Sequence, residues 1–246
     1  MGNEQGFDLR ADGLTACPSY GARPSRHPEN RPMRLTALYL TSITCGFCMM
    51  ALEILGGRFI QPIFGSSIDV WAAIISVFIL SLSIGYVAGG RIADRSHTNG
   101  PLGWVILIAG VFFCLTPWYG MPLMIGLGES IHTARWGVLL AAFLLFLLPS
   151  LMLGMVSPIL VKLVFTSAEK VGTTTGTLYA VGSIGNVLGI LVSDYVLLAY
   201  FSLNNNILAM GVILCVLGLL HLLKPLHATA HITDKAVPDS DTRALA

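Results

Sequence analysis

Charge is what this sequence has least of. Lys and Arg number 14 and Asp and Glu 13, together 11% of 246 residues, against roughly a quarter in an ordinary soluble domain. That shortage argues against a water-soluble enzyme. The net charge of +1 gives no electrostatic reason to expect nucleic acid as a partner. Sequence patterns of catalysis and nucleotide binding are missing too: there is no G-x-G-x-x-G, no P-loop, no serine elbow and no zinc-protease motif. Cysteines are few and odd in number (Cys17, Cys45, Cys48, Cys114, Cys215), and four lie in apolar segments, so neither a disulfide framework nor a zinc site is indicated. Cys45 and Cys48 have C-x-x-C spacing, but inside an apolar run and without a second pair, so they read as small packing groups. His221, His227 and His231 are three histidines near a flexible end rather than a metal site. No cofactor is expected.

What is present is built for lipid. Hydrophobic residues make up 54% of the chain, and of the 27 charged residues nine lie in 1–34 and six in 224–246, leaving twelve for everything between. Runs without Asp, Glu, Lys or Arg are Leu35–Leu52, Val70–Gly90, Ser96–Gly128, Trp136–Val161, Val171–Ser193 and Tyr195–Leu223. Each approaches or exceeds the ~20 residues that a helix needs to cross ~30 Å of hydrocarbon. Unpaired backbone is intolerable in lipid, and the runs are long and do not alternate, so they read as helices rather than barrel strands. The expected fold is therefore an all-α integral membrane protein with six transmembrane helices. Pro149 and Pro158 lie in the fourth run, and a break there would make seven segments. The domains are a disordered tail over 1–34, a membrane domain over 35–223 and a second tail over 224–246.

Basic residues near span ends stay on the cytoplasmic side. With the N-terminus inside, inner segments hold twelve of them and the outer loops only Arg58 and Arg135, which puts both termini in the cytoplasm; the expected location is the inner (plasma) membrane. No apolar stretch precedes Leu35, so no signal peptide is read, and Gly6 stands where a myristoylation signal wants Ser or Thr.

A few polar groups inside the spans need explaining. Glu53 lies near the outer end of the first span, and Gly46, Ser42 and Tyr39 fall within about 40° of it on a helical wheel. It reads as a cation or proton site, or as one member of an ion pair, with Arg58 or with another helix, that fixes the bundle. On the fifth span Thr175, Tyr179, Ser183, Asn186 and Asp194 gather on one side, within about 100°. Gly185, Gly189 and Ser193, and likewise Gly172, Gly176 and Ala180, form rows suited to close helix packing. Asp194, an acid between two apolar runs, is a functional candidate by position, with a six-residue loop, Phe201–Asn206, expected soon after it. The second span closes on Gly85-Tyr86, Gly89-Gly90-Arg91 and Asp94-Arg95, where glycines permit close approach and Asp94 sits beside arginines able to pair across a gate. Pro149 to Lys162 is either a kinked structural helix or a broken helix lining a site, with Lys162 reaching the cytoplasmic face.

The second-span loop resembles that between the second and third helices of major facilitator transporters. Together with Gly46-Phe47, Glu53-x-x-x-x-Arg58, Phe64-Gly65, Trp71, Pro149 to Pro158 and Gly176-Thr-Leu-Tyr179-Ala-Val-Gly182-Ser-Ile-Gly185, it makes the hydrophobic part resemble the membrane domain of bacterial spermidine synthase-like proteins. In these a major-facilitator-like region is fused to a soluble aminopropyltransferase-like domain. The resemblance implies half of a facilitator transporter; the synthase domain has no counterpart in these residues, so its activity does not carry over. The expected function is binding or transport of a small polyamine-type cation, with a separate synthase-like soluble partner. Glu53, Tyr179, Asn186 and Asp194 would hold the substrate, and Gly90, Arg91, Asp94 and Arg95 form the gating loop. Half a facilitator would need a homodimer in the bilayer. The alternatives are an intramembrane enzyme acting on an adenosylmethionine-type or lipid substrate, for which no nucleophile–base set is visible, and a non-catalytic anchor.

Overall fold

The computed structural model describes residues 31–96, 98–130, 134–164 and 171–223. Most of the expected tails, with Cys17, His227 and His231, lies outside them. Within them the chain runs through α1 (Arg31–Phe64), α2 (Ile68–Arg95), α3 (Gly100–Ser130), α4 (Ala134–Val164) and α5 (Val171–Val192), a π-helical turn (Ser193–Leu197), α6 (Leu198–Tyr200) and α7 (Leu203–Leu223). Because α5, the π turn and α6 form one rod, the described residues hold six helices long and apolar enough to cross a bilayer. The described residues are helical apart from short connections, and their six spans make the protein a multi-pass membrane protein.

Two boundaries differ from the hydropathy reading. The fourth span is unbroken through Pro149 and Pro158, so there is no seventh segment. Tyr195–Tyr200 belongs to the fifth span rather than the sixth, and the loop shrinks to Phe201 and Ser202. Asn204 and Asn205 already lie in α7, and the side chain of Asn206 donates to the carbonyls of Leu197 (2.8 Å) and Phe201 (3.5 Å), groups that the end of the rod leaves open. Where α1 ends, Gly65 has φ +80° and its N–H returns to the Gln61 carbonyl at 2.8 Å, a left-handed helix stop that a side chain would strain.

Lipid tails are as apolar as leucine, so membrane helices associate through close packing rather than expulsion of water. Here glycines set that packing. Gly46 faces the Gly182 carbonyl, Gly185 the Ile43 carbonyl and Gly189 the Phe47 carbonyl, which joins α1 to α5 in parallel. Gly85 faces the Leu151 carbonyl, Gly89 the Met155 backbone and Gly154 the Leu82 backbone, joining α2 to α4 in parallel. Gly103 meets Gly218, and Gly110 meets Gly211, joining α3 to α7 antiparallel.

These contacts repeat. Adding 108 to each α1 number gives its α4 counterpart (Ile43 and Leu151, Gly46 and Gly154, Phe47 and Met155). Adding 100 takes α2 to α5 (Leu82 and Gly182, Gly85 and Gly185, Gly89 and Gly189), and adding 108 takes α3 to α7 (Gly103 and Gly211, Gly110 and Gly218). Under this exchange the α1·α5 contacts become the α4·α2 contacts, and α3·α7 maps onto itself. Since α4 runs parallel to α2 and α2 turns back from α1, the first three spans and the last three are inverted copies related by a two-fold axis lying across the bundle.

Candidate functional site

A cavity of about 190 Å³ lies between the α1·α5 and α2·α4 pairs. Its walls are Ser42, Cys45, Gly46, Met49 and Met50 from α1, Leu82 and Tyr86 from α2, Leu153, Val156, Ser157 and Leu160 from α4, and Leu178, Tyr179, Gly182, Ser183 and Asn186 from α5. Four repeat-equivalent pairs line it with both members: Cys45 and Leu153, Met49 and Ser157, Leu82 and Gly182, Tyr86 and Asn186. The cavity therefore straddles the internal two-fold axis. On α2 and α4 the lining residues fall in the C-terminal halves, so the cavity is displaced toward the end of the bundle where α2 turns into α3, termed here the near end.

The lining is mixed, more apolar than polar, and uncharged. It offers hydroxyls from Ser42, Ser157, Ser183, Tyr86 and Tyr179, the Asn186 amide, and sulfur from Cys45, Met49 and Met50. Ser42 donates to the Leu178 carbonyl at 3.4 Å. The Asn186 Oδ1 lies against the space that a Cβ on Gly46 would occupy, so that glycine is what lets the amide approach α1.

Of the four residues expected to hold substrate, Tyr179 and Asn186 line the cavity, while Glu53 and Asp194 do not. Ser42, Cys45, Gly46, Met49 and Met50 follow the three-and-four spacing of one helix face, and Glu53 is the next residue on that stripe. It is half-buried, eleven residues before the end of α1, and forms no hydrogen bond or ion pair among the described residues. The expected Glu53–Arg58 pair is not formed. Five residues advance a helix by about 500°, which leaves the two side chains on different faces. Instead Arg58, inside α1 rather than in a loop, reaches Asp194 at 3.4 Å. Asp194 sits in the π turn, not between two spans.

In the expected gating loop, Asp94 pairs with Lys162 (3.9 Å), and the Lys162 ammonium also donates to the Asp94 carbonyl at 3.3 Å. Arg91 and Arg95 are exposed. Gly85 and Gly89 are the packing glycines there, whereas a side chain on Gly90 would meet nothing within 4 Å. Residues 94 and 194 are repeat equivalents, so the acid–base pairs close corresponding helix pairs at opposite ends of the bundle.

Hydropathy gave no sign of a second buried polar group. Thr41 Oγ1 lies 2.8 Å from His221 Nε2 and also donates to the Ala37 carbonyl at 2.9 Å. A hydroxyl has one hydrogen, so the ring donates through Nε2 and its Nδ1 is the acceptor, 3.5 Å from the Asn99 amide. Asn99 also donates to the His221 carbonyl at 3.0 Å. Three segments are thus tied together at the near end: α1, the α2–α3 turn and the last turn of α7. Tyr86 was likewise not singled out as a ligand contact, although its position opposite Asn186 follows from the repeat. The signal lay in the sequence: Ser83-Ile-Gly-x-Val-x-Gly89 with Asp94 recurs 100 residues later as Ser183-Ile-Gly-x-Val-x-Gly189 with Asp194.

No protein-family model, curated protein or solved structure matches the chain.

Proposed function

We propose that the protein is a membrane carrier, or binding module, for a small polyamine-type cation, and that the cavity on the two-fold axis is its site. The observation that carries this reading is the coincidence of cavity and axis. Transporters built from inverted repeats bind substrate near mid-membrane at the repeat interface, and the six-helix halves of major facilitators are themselves built from three-plus-three inverted repeats. A volume of about 190 Å³ falls below the ~300–1,000 Å³ of drug-sized sites and favours a small ligand. The faces of Tyr86 and Tyr179 are electron-rich surfaces for a cation, the Asn186 carbonyl accepts hydrogen bonds, and Glu53 supplies a carboxylate one turn beyond.

The membrane on this reading is the inner (plasma) membrane, and the basic-residue bias described above makes both termini cytoplasmic, so the near end faces the cytoplasm. The spermidine synthase-like family remains the resemblance that names the ligand class and a soluble synthase-like partner. Pairing of two copies would complete a twelve-span unit.

The test is flux of labelled putrescine and spermidine in proteoliposomes, alongside thermal shifts, because a ligand that binds only the folded state raises its stability. Asn186→Leu and Glu53→Gln are expected to reduce flux at least about tenfold with the fold intact, the effect of losing about 1.4 kcal/mol of binding. Flux untouched by both substitutions removes the assigned site. Absence of both flux and thermal shift removes the polyamine reading.

A further inference from the structure

Sulfur gathers on one side of α1. Cys45, Cys48 and Met49 fall within about 100° on the helix, at the three- and four-residue spacing that makes side chains neighbours, and Cys45 stands in the middle of that arc. To one side of it Met49 lines the cavity, as Cys45 itself does. To the other side Cys48 turns toward α7, where its thiol lies 3.8 Å from the Met210 Sδ. Cys45, Cys48 and Met210 are all buried, and Met50 adds a further thioether to the cavity wall.

Thiols and thioethers fill an apolar core well, and packing accounts for each of these residues taken singly. What packing does not require is their convergence, which brings two cysteines of one helix face against a methionine 162 positions away from the second of them. The spacing suits a metal ion. Two sulfur atoms each ~2.3 Å from one ion lie about 3.8 Å apart at a tetrahedral angle and about 4.0 Å apart in a trigonal plane. The Cys48 and Met210 sulfurs already stand at 3.8 Å, so an ion can enter with little movement of α1 against α7.

The donors select the ion. Among the described residues no group of three or more His, Cys, Asp or Glu is placed to hold a metal, so zinc and harder ions lack the ligands they need. Methionine makes up the number only for a soft ion, and thiolate with thioether is the set that selects Cu(I). A buried cation also needs a compensating anion, and a single thiolate cancels the single charge of Cu(I).

We propose that Cys45, Cys48 and Met210 form a buried site for one Cu(I) ion, with Met49 and Met50 as the thioethers that an ion arriving through the cavity meets first. Binding forms the sulfur–copper bonds and breaks one S–H bond, whose proton passes to solvent. Copper stays Cu(I) and nothing is oxidised. The site goes beyond the polyamine reading and does not rest on it, since its ligands are sulfur atoms rather than the tyrosine faces, amide and carboxylate assigned to the polyamine.

The test uses the full-length protein in detergent without oxygen, titrated with Cu(I) against a chromogenic copper chelator, with X-ray absorption at the copper edge reporting the ligands. One ion per chain, held by sulfur alone and not displaced by excess Zn(II), is expected. The chain with Cys17, Cys114 and Cys215 replaced by alanine should keep that ion, which separates the site from general thiol binding. Cys48→Ala is expected to weaken binding at least about tenfold. Met210→Leu, which keeps the volume and every thiol, should also cost at least about tenfold, since even changes behind a metal ligand cost about 10- to 100-fold. Thermal unfolding checks that each variant folds, and Met210→Leu decides the matter should Cys48→Ala fail to fold. Met210→Leu that binds as tightly as the unaltered chain overturns the proposal. So does binding that vanishes with the other three cysteines, a copper edge showing nitrogen or oxygen ligands, or a chelator that strips the protein completely.

Discussion

Asp94 and Asp194 hold the same place in two inverted repeats, each fastened to a basic side chain on the helix packed beside it: Lys162 at 3.9 Å and Arg58 at 3.4 Å. Both pairs are partly exposed, with Arg58 and Asp194 at 49% and 44%. Pairs this open contribute about 0.2–1 kcal/mol. A double-mutant cycle on Arg58→Gln and Asp194→Asn, read from thermal unfolding in detergent, is expected to give a coupling in that range. The matching cycle on Arg58 and Glu53 should give none, and a larger coupling to Glu53 would contradict the geometry.

The glycines divide into two groups with opposite expectations. A methyl group at Gly185 or Gly189 runs into the backbone of Ile43 or Phe47, and one at Gly211 into the Cys114 backbone. Backbone cannot move aside as a flexible side chain does, so Gly185→Ala and Gly211→Ala are expected to destabilise by about 1–3 kcal/mol. Gly90→Ala and Gly176→Ala meet open space and should leave the melting temperature unchanged or raise it, since alanine favours helix. Equal losses across both groups would show that glycine flexibility, not close approach, is what matters.

At the Thr41–His221–Asn99 cluster the order of two substitutions is fixed by which partners survive. Thr41→Val leaves the buried His221 ring nitrogen with no acceptor, at about 1–3 kcal/mol. In His221→Leu, Thr41 keeps the Ala37 carbonyl and Asn99 keeps the carbonyl of residue 221. On hydrogen bonding alone Thr41→Val is therefore expected to lower thermal stability more than His221→Leu, and the reverse order would mean that packing of the ring dominates.

Ser193 offers a test of the repeat itself. It is fully buried at the start of the π turn with no partner for its hydroxyl among the described residues, and the equivalent position in the other half is Ala93, also buried. Ser193→Ala is expected to keep or raise the melting temperature, by up to about 1–3 kcal/mol for relieving an unpaired buried hydroxyl. A clear fall would argue that the two positions are not equivalent.

The spans were legible in the sequence because a long charge-free run has few physical meanings. Their ends were not, because charge is an imperfect marker of where a helix leaves the membrane. Asp194 looked like a boundary and is not one, since Arg58 from α1 neutralises it and the rod runs on to Tyr200. Asn204 to Asn206 looked like a loop, yet they start α7, with the Asn206 side chain answering open carbonyls. At the site, helical spacing alone was enough to put Tyr179 and Asn186 on one face of α5 and Glu53 on the stripe of Ser42 and Gly46. What spacing cannot report is which stripe of α1 meets which helix, and so the pairing of Arg58 with Asp194, 136 positions away, has no local sign. The contact of Thr41 with His221 spans 180 positions and leaves no local trace. The repeat was readable for α2 and α5, whose glycines, serines and aspartates recur in register. It was hidden for α1 and α4, where Ser42 and Gly46 are matched by Ser150 and Gly154 but little around them agrees.

Of the three helix pairs, α3·α7 is the one that is its own counterpart: Gly103 against Gly218 and Gly110 against Gly211 exchange places and give the same contacts back. Under the two-fold exchange a pair with that property is a fixed reference frame. Spectroscopic labels on α3 and α7 are expected to keep one mutual distance under every condition, which makes them an internal ruler for calibrating distances to α1, α2, α4 and α5.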